Sequence, residues 1–115
     1  MLFHQQVAHV STALSHPARV QIVLHLAAHG ETRFDDLLQR LPLQQPTVSQ
    51  HLRILMEHNL LFVREEIPHT LYRLNPVEGR KAMLVLTGFL DALSDGNVTL
   101  VSRVAQRIYP EDFDW

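Results

Sequence analysis

The stretch QQPTVSQHLRIL, Gln44 to Leu55, concentrates the side chains that could do recognition chemistry in this chain. A glutamine amide can bond both N6 and N7 of adenine. An arginine can fork onto guanine or a phosphate. Serine and threonine can donate to phosphates or base edges, and a threonine methyl can meet a thymine methyl. Gln44, Gln45, Thr47, Ser49, Gln50 and Arg53 supply these types, while Val48, Leu52 and Leu55 recur at helical spacing with Ile54 beside them. The polar and aliphatic sets therefore fall on opposite sides of one helix. Pro46 suits its first turn, and a helix N-terminus carries partial positive charge where a phosphate would sit. No acidic residue lies between Arg40 and Arg53. Taken alone, the stretch reads more readily as the solvated face of an ordinary amphipathic helix; the short helix before it and the hairpin after it reverse that weighting.

The eight histidines offer a second possible chemistry. His4 and His9 lie five apart and do not share a helix face. His25 and His29 are four apart and could touch one metal ion, but a pair lacks the ligand count of a built site, so they are expected at the exposed edge of their helix and no metal is expected. His16 is assigned to a helix start, and His51 to packing and hydrogen bonding beneath the polar face. No nucleophile–base pair and no convergent carboxylates are present, which argues against an enzyme, and no cofactor is expected.

The elements must then place the polar stretch. Phe3, Val7, Val10 and Leu14 predict a helix over 3–14. Ser15-His16-Pro17 starts a second, about 17–29, with Val20, Val23, Leu24 and Ala27 inward, Ile22 and Leu26 widening the stripe, and Gly30 as its stop. Thr32 is expected to cap a short third helix, with Asp35 in capping-box position and Phe34, Leu37, Leu38 and Leu41 buried. After Pro42 the Gln45 helix follows, Gln44 being a poor cap. Leu61-Phe62-Val63 and Thr70–Leu74 predict a hairpin with an acidic tip, Glu65-Glu66-Ile67-Pro68-His69. Beyond Pro76, Met83, Leu86, Leu90 and Leu93 mark a long helix broken at Asp95-Gly96-Asn97, and Val101–Ile108 a sixth. The acidic-aromatic YPEDFDW closes the chain. Helix-helix-helix-helix-hairpin-helix-helix is a mainly α fold with a small hairpin (α+β), a winged helix-turn-helix. It is read as a single domain over 1–115, with the helix-turn-helix at 32–55 and the wing at 61–74.

Composition limits the partners. The 115 residues suit one domain, and the formal charge of −2 means that any nucleic-acid binding must rest on local charge. Cysteine is absent, which removes disulfides and thiolate chemistry. No apolar run approaches the ~20 residues needed to span a bilayer, so no membrane partner is expected. MLFHQQVAHV does not read as a signal peptide, which points to the cytoplasm. The stripes of Phe3, Val7 and Val10 and of Met83, Leu86, Leu90 and Leu93 suggest that 1–14 and 76–108 pack across a twofold axis in a homodimer.

LSHPAR (Leu14–Arg19), PTVSQHLRIL (Pro46–Leu55), HNLLFVRE (His58–Glu65) and LYRL (Leu71–Leu74) occur in an order and spacing that resemble the ArsR (SmtB-like) family of bacterial winged-helix repressors. The resemblance covers roughly half of the chain. It implies a homodimeric repressor that binds an imperfect inverted repeat in double-stranded DNA, with Gln45, Thr47, Ser49 and Gln50 facing the major groove. Two departures stand out. The family's metal-binding cysteine positions fall on Arg33 and Asp35, and a permanent cation excludes a metal. The family's second site uses Asp and His on the last long helix, and no histidine occurs after His69. The signal that releases DNA is thus unreadable. In the wing, Arg64, His69 and Arg73 could meet phosphate backbone, although Glu65 and Glu66 would repel it. These carboxylates and the acidic tail leave one rival reading: a winged-helix protein-interaction module that does not read DNA.

Overall fold

The computed structural model describes residues 1–95. The expected helix at Val101–Ile108 and the acidic-aromatic end lie outside the described residues. Five helices and a small antiparallel sheet follow in the order α1 (Phe3–Ala13), α2 (Pro17–His29), β1 (Thr32–Arg33), α3 (Phe34–Arg40), α4 (Gln45–Glu57), β2 (Leu61–Glu66), β3 (His69–Leu74) and α5 (Pro76–Asp95). The described residues divide into two compact units: Ala13–Pro76, and Met1–Thr12 with residues 77–95.

The Ala13–Pro76 unit is the winged helix-turn-helix. His16 starts α2: its Nδ1 accepts the Ala18 amide hydrogen at 3.0 Å, and Pro17 fits the first turn, where no amide hydrogen is needed. Gly30 ends α2 at φ +75°, a backbone that costs little only without a Cβ, and its amide bonds Leu26 O at 2.9 Å. The buried face of α2 is Ala18, Arg19, Ile22 and Leu26, whereas Val20, Leu24 and Ala27 lie exposed. The expected stripe is thus rotated about the helix axis. This helix is aliphatic on nearly all sides, so spacing alone cannot choose the face, and the choice follows from a buried arginine.

Thr32 does not cap α3. It lies in β1, buried, and its hydroxyl donates to Gly30 O at 2.9 Å. Arg33 occupies the cap position with no side-chain hydrogen bond. Two residues suffice for β1 because β3 supplies its partner, with Thr32 opposite Tyr72 and Arg33 opposite Leu71. The strand order is β1-β3-β2. The β2–β3 hairpin runs longer than expected, from Leu61 opposite Leu74 to Glu66 opposite His69. Glu65, Glu66 and His69 are therefore strand residues, and only Ile67 and Pro68 form the turn.

Ile22, Leu37, Val48, Leu52 and Leu55 are the largest fully buried side chains, so α2, α3 and α4 close around one core. Each such side chain contributes about 1.5–3 kcal/mol by leaving water. The exit from α4 fixes where the wing begins. Asn59 takes φ +61°, and the Asn59 and Leu60 amides bond back to Met56 O (2.9 Å) and Leu55 O (3.0 Å). Asparagine tolerates this left-handed conformation better than most residues. The Asn75 amide bonds Leu60 O at 2.8 Å and its side chain donates to Asn59 O at 3.0 Å, closing the base of the hairpin.

In the other unit, Phe3, Leu84 and Val85 form a buried cluster, with Val7 and Val10 packed against it. Phe3, Val7 and Val10 are thus engaged within the chain. Leu86 is half-buried, while Met83, Leu90 and Leu93 are exposed, Leu90 by 61% and Leu93 by 69%. No helix among the described residues is long and apolar enough to cross a membrane.

Candidate nucleic-acid interface

The α4 helix is built with one committed side and one free side. Val48, His51, Leu52 and Leu55 are buried beneath it. Gln44, Gln45, Thr47, Ser49, Gln50 and Arg53 are all exposed. None of these six side chains makes a hydrogen bond or ion pair with another described residue. Gln44 holds the N-cap position without a side-chain bond to the helix, leaving its amide free. The first turn carries no acid, so nothing offsets the partial positive charge of the helix N-terminus. Free amides, hydroxyls and a guanidinium on a helix edge can satisfy their hydrogen bonds on base edges and phosphates.

A buried polar cluster seats that helix. The Arg19 guanidinium, from α2, donates from Nε to Ala13 O (2.9 Å), from Nη2 to Ser15 Oγ (3.0 Å) and from Nη1 to His51 Nδ1 (2.9 Å). An imidazole nitrogen that accepts from a permanent cation is deprotonated, so His51 carries its proton on Nε2. His51 is 7% exposed, and its ring lies 4.3 Å from that of His16. Burial holds the His51 imidazole below its ordinary pKa, and His16 and Arg19 lower it further. His16 and His51 thus take the structural places expected of them. Arg19 was not anticipated; the available signal was a lone charge among the aliphatics just after Pro17.

The wing differs in kind. Arg64 Nη2 and Nε contact Glu31, the former at 2.7 Å from Oε1 and the latter at 2.9 Å from Oε2, and Nη1 lies 2.9 Å from Glu66 Oε2. The Arg64 hydrogen bond holds the Glu31 carboxyl below its ordinary range, and the two carboxylates raise the guanidinium. His69 Nδ1 is 3.8 Å from Asp35 Oδ2, Arg73 lies 4.5 Å over the Phe62 ring, and Thr70 donates to Glu65 at 3.1 Å. Arg64, His69 and Arg73, the wing residues expected to meet phosphate, each have an intramolecular partner. Glu31 was the residue missed here, because the register that brings it to Arg64 is set by β1.

The His25 and His29 rings stand 4.5 Å apart, His29 exposed and His25 partly so. They line an open groove of about 670 Å³ with Glu31, Arg33, Asp36 and Arg40. Burial, Arg40 and His29 lower the His25 pKa against an opposing pull from Asp36. Among the described residues no group of three or more His, Cys, Asp or Glu could hold a metal ion.

Residues 16–61, which include the whole α2–α4 core, match the model for "Bacterial regulatory protein, arsR family". The chain is 38% identical over 80 residues to a biofilm growth-associated repressor of Xylella fastidiosa, covering 70% of this chain and 68% of that protein. It is 32% identical over 72 residues to an arsenical resistance operon repressor of Staphylococcus xylosus, covering 63% and 68%. Among solved structures, the transcriptional repressor BigR from Xylella fastidiosa aligns with TM-score 0.62 and 34% identity over 76% of this chain and 86% of that one. A possible transcriptional regulator for arsenical resistance aligns with TM-score 0.66 and 27% identity over 76% and 95%.

Proposed function

The chain belongs to the ArsR family of bacterial regulatory proteins and is a DNA-binding helix-turn-helix regulator, not an enzyme; from that premise we propose that it is a homodimeric cytoplasmic repressor whose α4 helix reads an inverted repeat. The observation that carries the reading is the free polar edge of α4. Gln45, Thr47, Ser49 and Gln50 read bases, with Gln44 beside them, and Arg53 and the helix N-terminus hold phosphates. Two such helices about 34–36 Å apart would meet successive major-groove turns of one DNA face.

The exposed Met83, Leu90 and Leu93, with Leu86 beside them, support a self-association face on α5. Phe3, Val7 and Val10 contribute by packing against Leu84 and Val85 behind it. Arg33 and Asp35 take the cysteine positions of the family's metal sensors, which supports release by a signal other than a thiolate-bound metal. Family membership weighs against the protein-interaction module.

The test is selection of binding sites from a randomised duplex pool by the purified full chain. Enrichment of an inverted repeat is expected; no enrichment over input would return the module reading. Leu90→Asp should convert a dimer to a monomer in sedimentation while leaving the helical spectrum unchanged.

A further inference from the structure

We propose that Glu31 and Glu66 act as phosphate substitutes that hold Arg64 in reserve, so that the wing arginine sets the hairpin in place and adds nothing to DNA affinity in the wild-type chain. The inference rests on the DNA-binding reading above. Glu31 follows α2, and Arg64 lies on the edge strand β2, 33 residues later. Their contact ties the outer strand of the wing back to the turn that enters β1. Three donor–acceptor contacts to Glu31, between 2.7 and 3.1 Å, form a forked pair, the geometry in which a guanidinium also grips a phosphate. Glu66, two residues along the same strand, takes the remaining terminal nitrogen at 2.9 Å. Each nitrogen of the Arg64 guanidinium thus has a carboxylate contact, and the three side chains Glu31, Arg64 and Glu66 together carry one net negative charge.

Position makes this pairing matter. Three residues, His58 to Leu60, separate α4 from β2. A duplex held by α4 therefore lies beside the hairpin. Arg64 remains half exposed despite its partners, so a phosphate could reach it once the carboxylates are gone. Arg53 shows the opposite state on α4: exposed, and without a partner among the described residues. The two arginines are separated by their neighbours, not by residue type. Glu31 and Glu66 are in this sense positioning residues that determine which arginine faces DNA.

Salt dependence reads this directly, because each phosphate neutralised adds a fixed increment to the slope of log affinity against log salt. On a fixed random-sequence duplex, Arg64→Gln should leave the slope at the wild-type value. Glu31→Gln/Glu66→Gln should bind more tightly at low salt and steepen the slope by about 0.9 per arginine freed, so that raising salt from about 50 to about 200 mM costs about threefold more affinity than in wild type. Adding Arg64→Gln to that double variant should return the slope to wild type. Three results would overturn the proposal: a flatter slope for Arg64→Gln alone, an unchanged slope for the double variant, or a gain that survives in the triple variant, which would reflect the general field of two lost charges. Absence of any shift with the wild-type chain on its selected duplex would instead sink the DNA-binding reading itself.

Discussion

The α4 helix and the wing are adjacent in sequence and comparable in polarity, yet they use their polar groups in opposite ways. On α4 Val48, His51, Leu52 and Leu55 are buried, and the six outer polar side chains engage no other described residue. On the hairpin, Arg64 meets Glu31 and Glu66, His69 faces Asp35, Arg73 covers Phe62 and Thr70 bonds Glu65. A polar group already satisfied within the chain must lose a partner before it can gain one on DNA. A solvated group exchanges water only. Polar composition therefore says little about which surface recognises; what matters is which polar groups remain uncommitted.

The largest effect should come from the seat of the free edge. Leu52 is fully buried, and Leu52→Ala should cost about 2–5 kcal/mol of stability through lost burial and the cavity left behind, read as a lower denaturant midpoint. A cost below about 0.5 kcal/mol, the range of ordinary surface substitutions, would mean that α4 is not seated as described. Next, Arg53→Ala should weaken binding alike on selected and random duplexes and flatten the salt slope by about 1, since an uncommitted arginine neutralises a phosphate. An unchanged slope would place Arg53 with the committed arginines of the wing.

A smaller effect links acid to the seat. Burial depresses the folded pKa of His51, so below the ordinary histidine range, near pH 6.5, the unfolded chain binds the proton that the folded chain excludes. The stability due to neutral His51 is present above that pH and is lost as pH falls through the folded value, where protonated Nδ1 could no longer accept from Arg19. Stability measured from pH 7 to 5 should decline more steeply for wild type than for His51→Gln, which has no titrating group there. Parallel declines would remove His51 from this role.

Much of this contrast was legible in the sequence, and the gaps have physical causes. The Gln45 helix, its buried Val48, Leu52 and Leu55 and its polar edge follow from 3.6-residue spacing, because one side is aliphatic and the other is not. The α2 helix failed the same test: it is aliphatic on nearly all sides, and its buried face holds Arg19, which bonds the nearby Ala13 and Ser15 and, 32 residues on, His51 of α4. Thr32 fitted a helix cap by local pattern, yet β3 recruited it into a two-residue strand, a contact 40 positions away in sequence. That same long-range pairing puts Glu31 within reach of Arg64. Local periodicity thus found the surface that is free and missed the contacts that commit the other one.

The central claim, that the uncommitted edge of α4 reads bases, is tested most directly at Gln50. Its amide should grip a base rather than the backbone, so Gln50→Ala should lower affinity for the duplex selected by the wild-type chain by about 1–3 kcal/mol while leaving random-duplex affinity unchanged. Equal loss on both duplexes would contradict base reading by this edge.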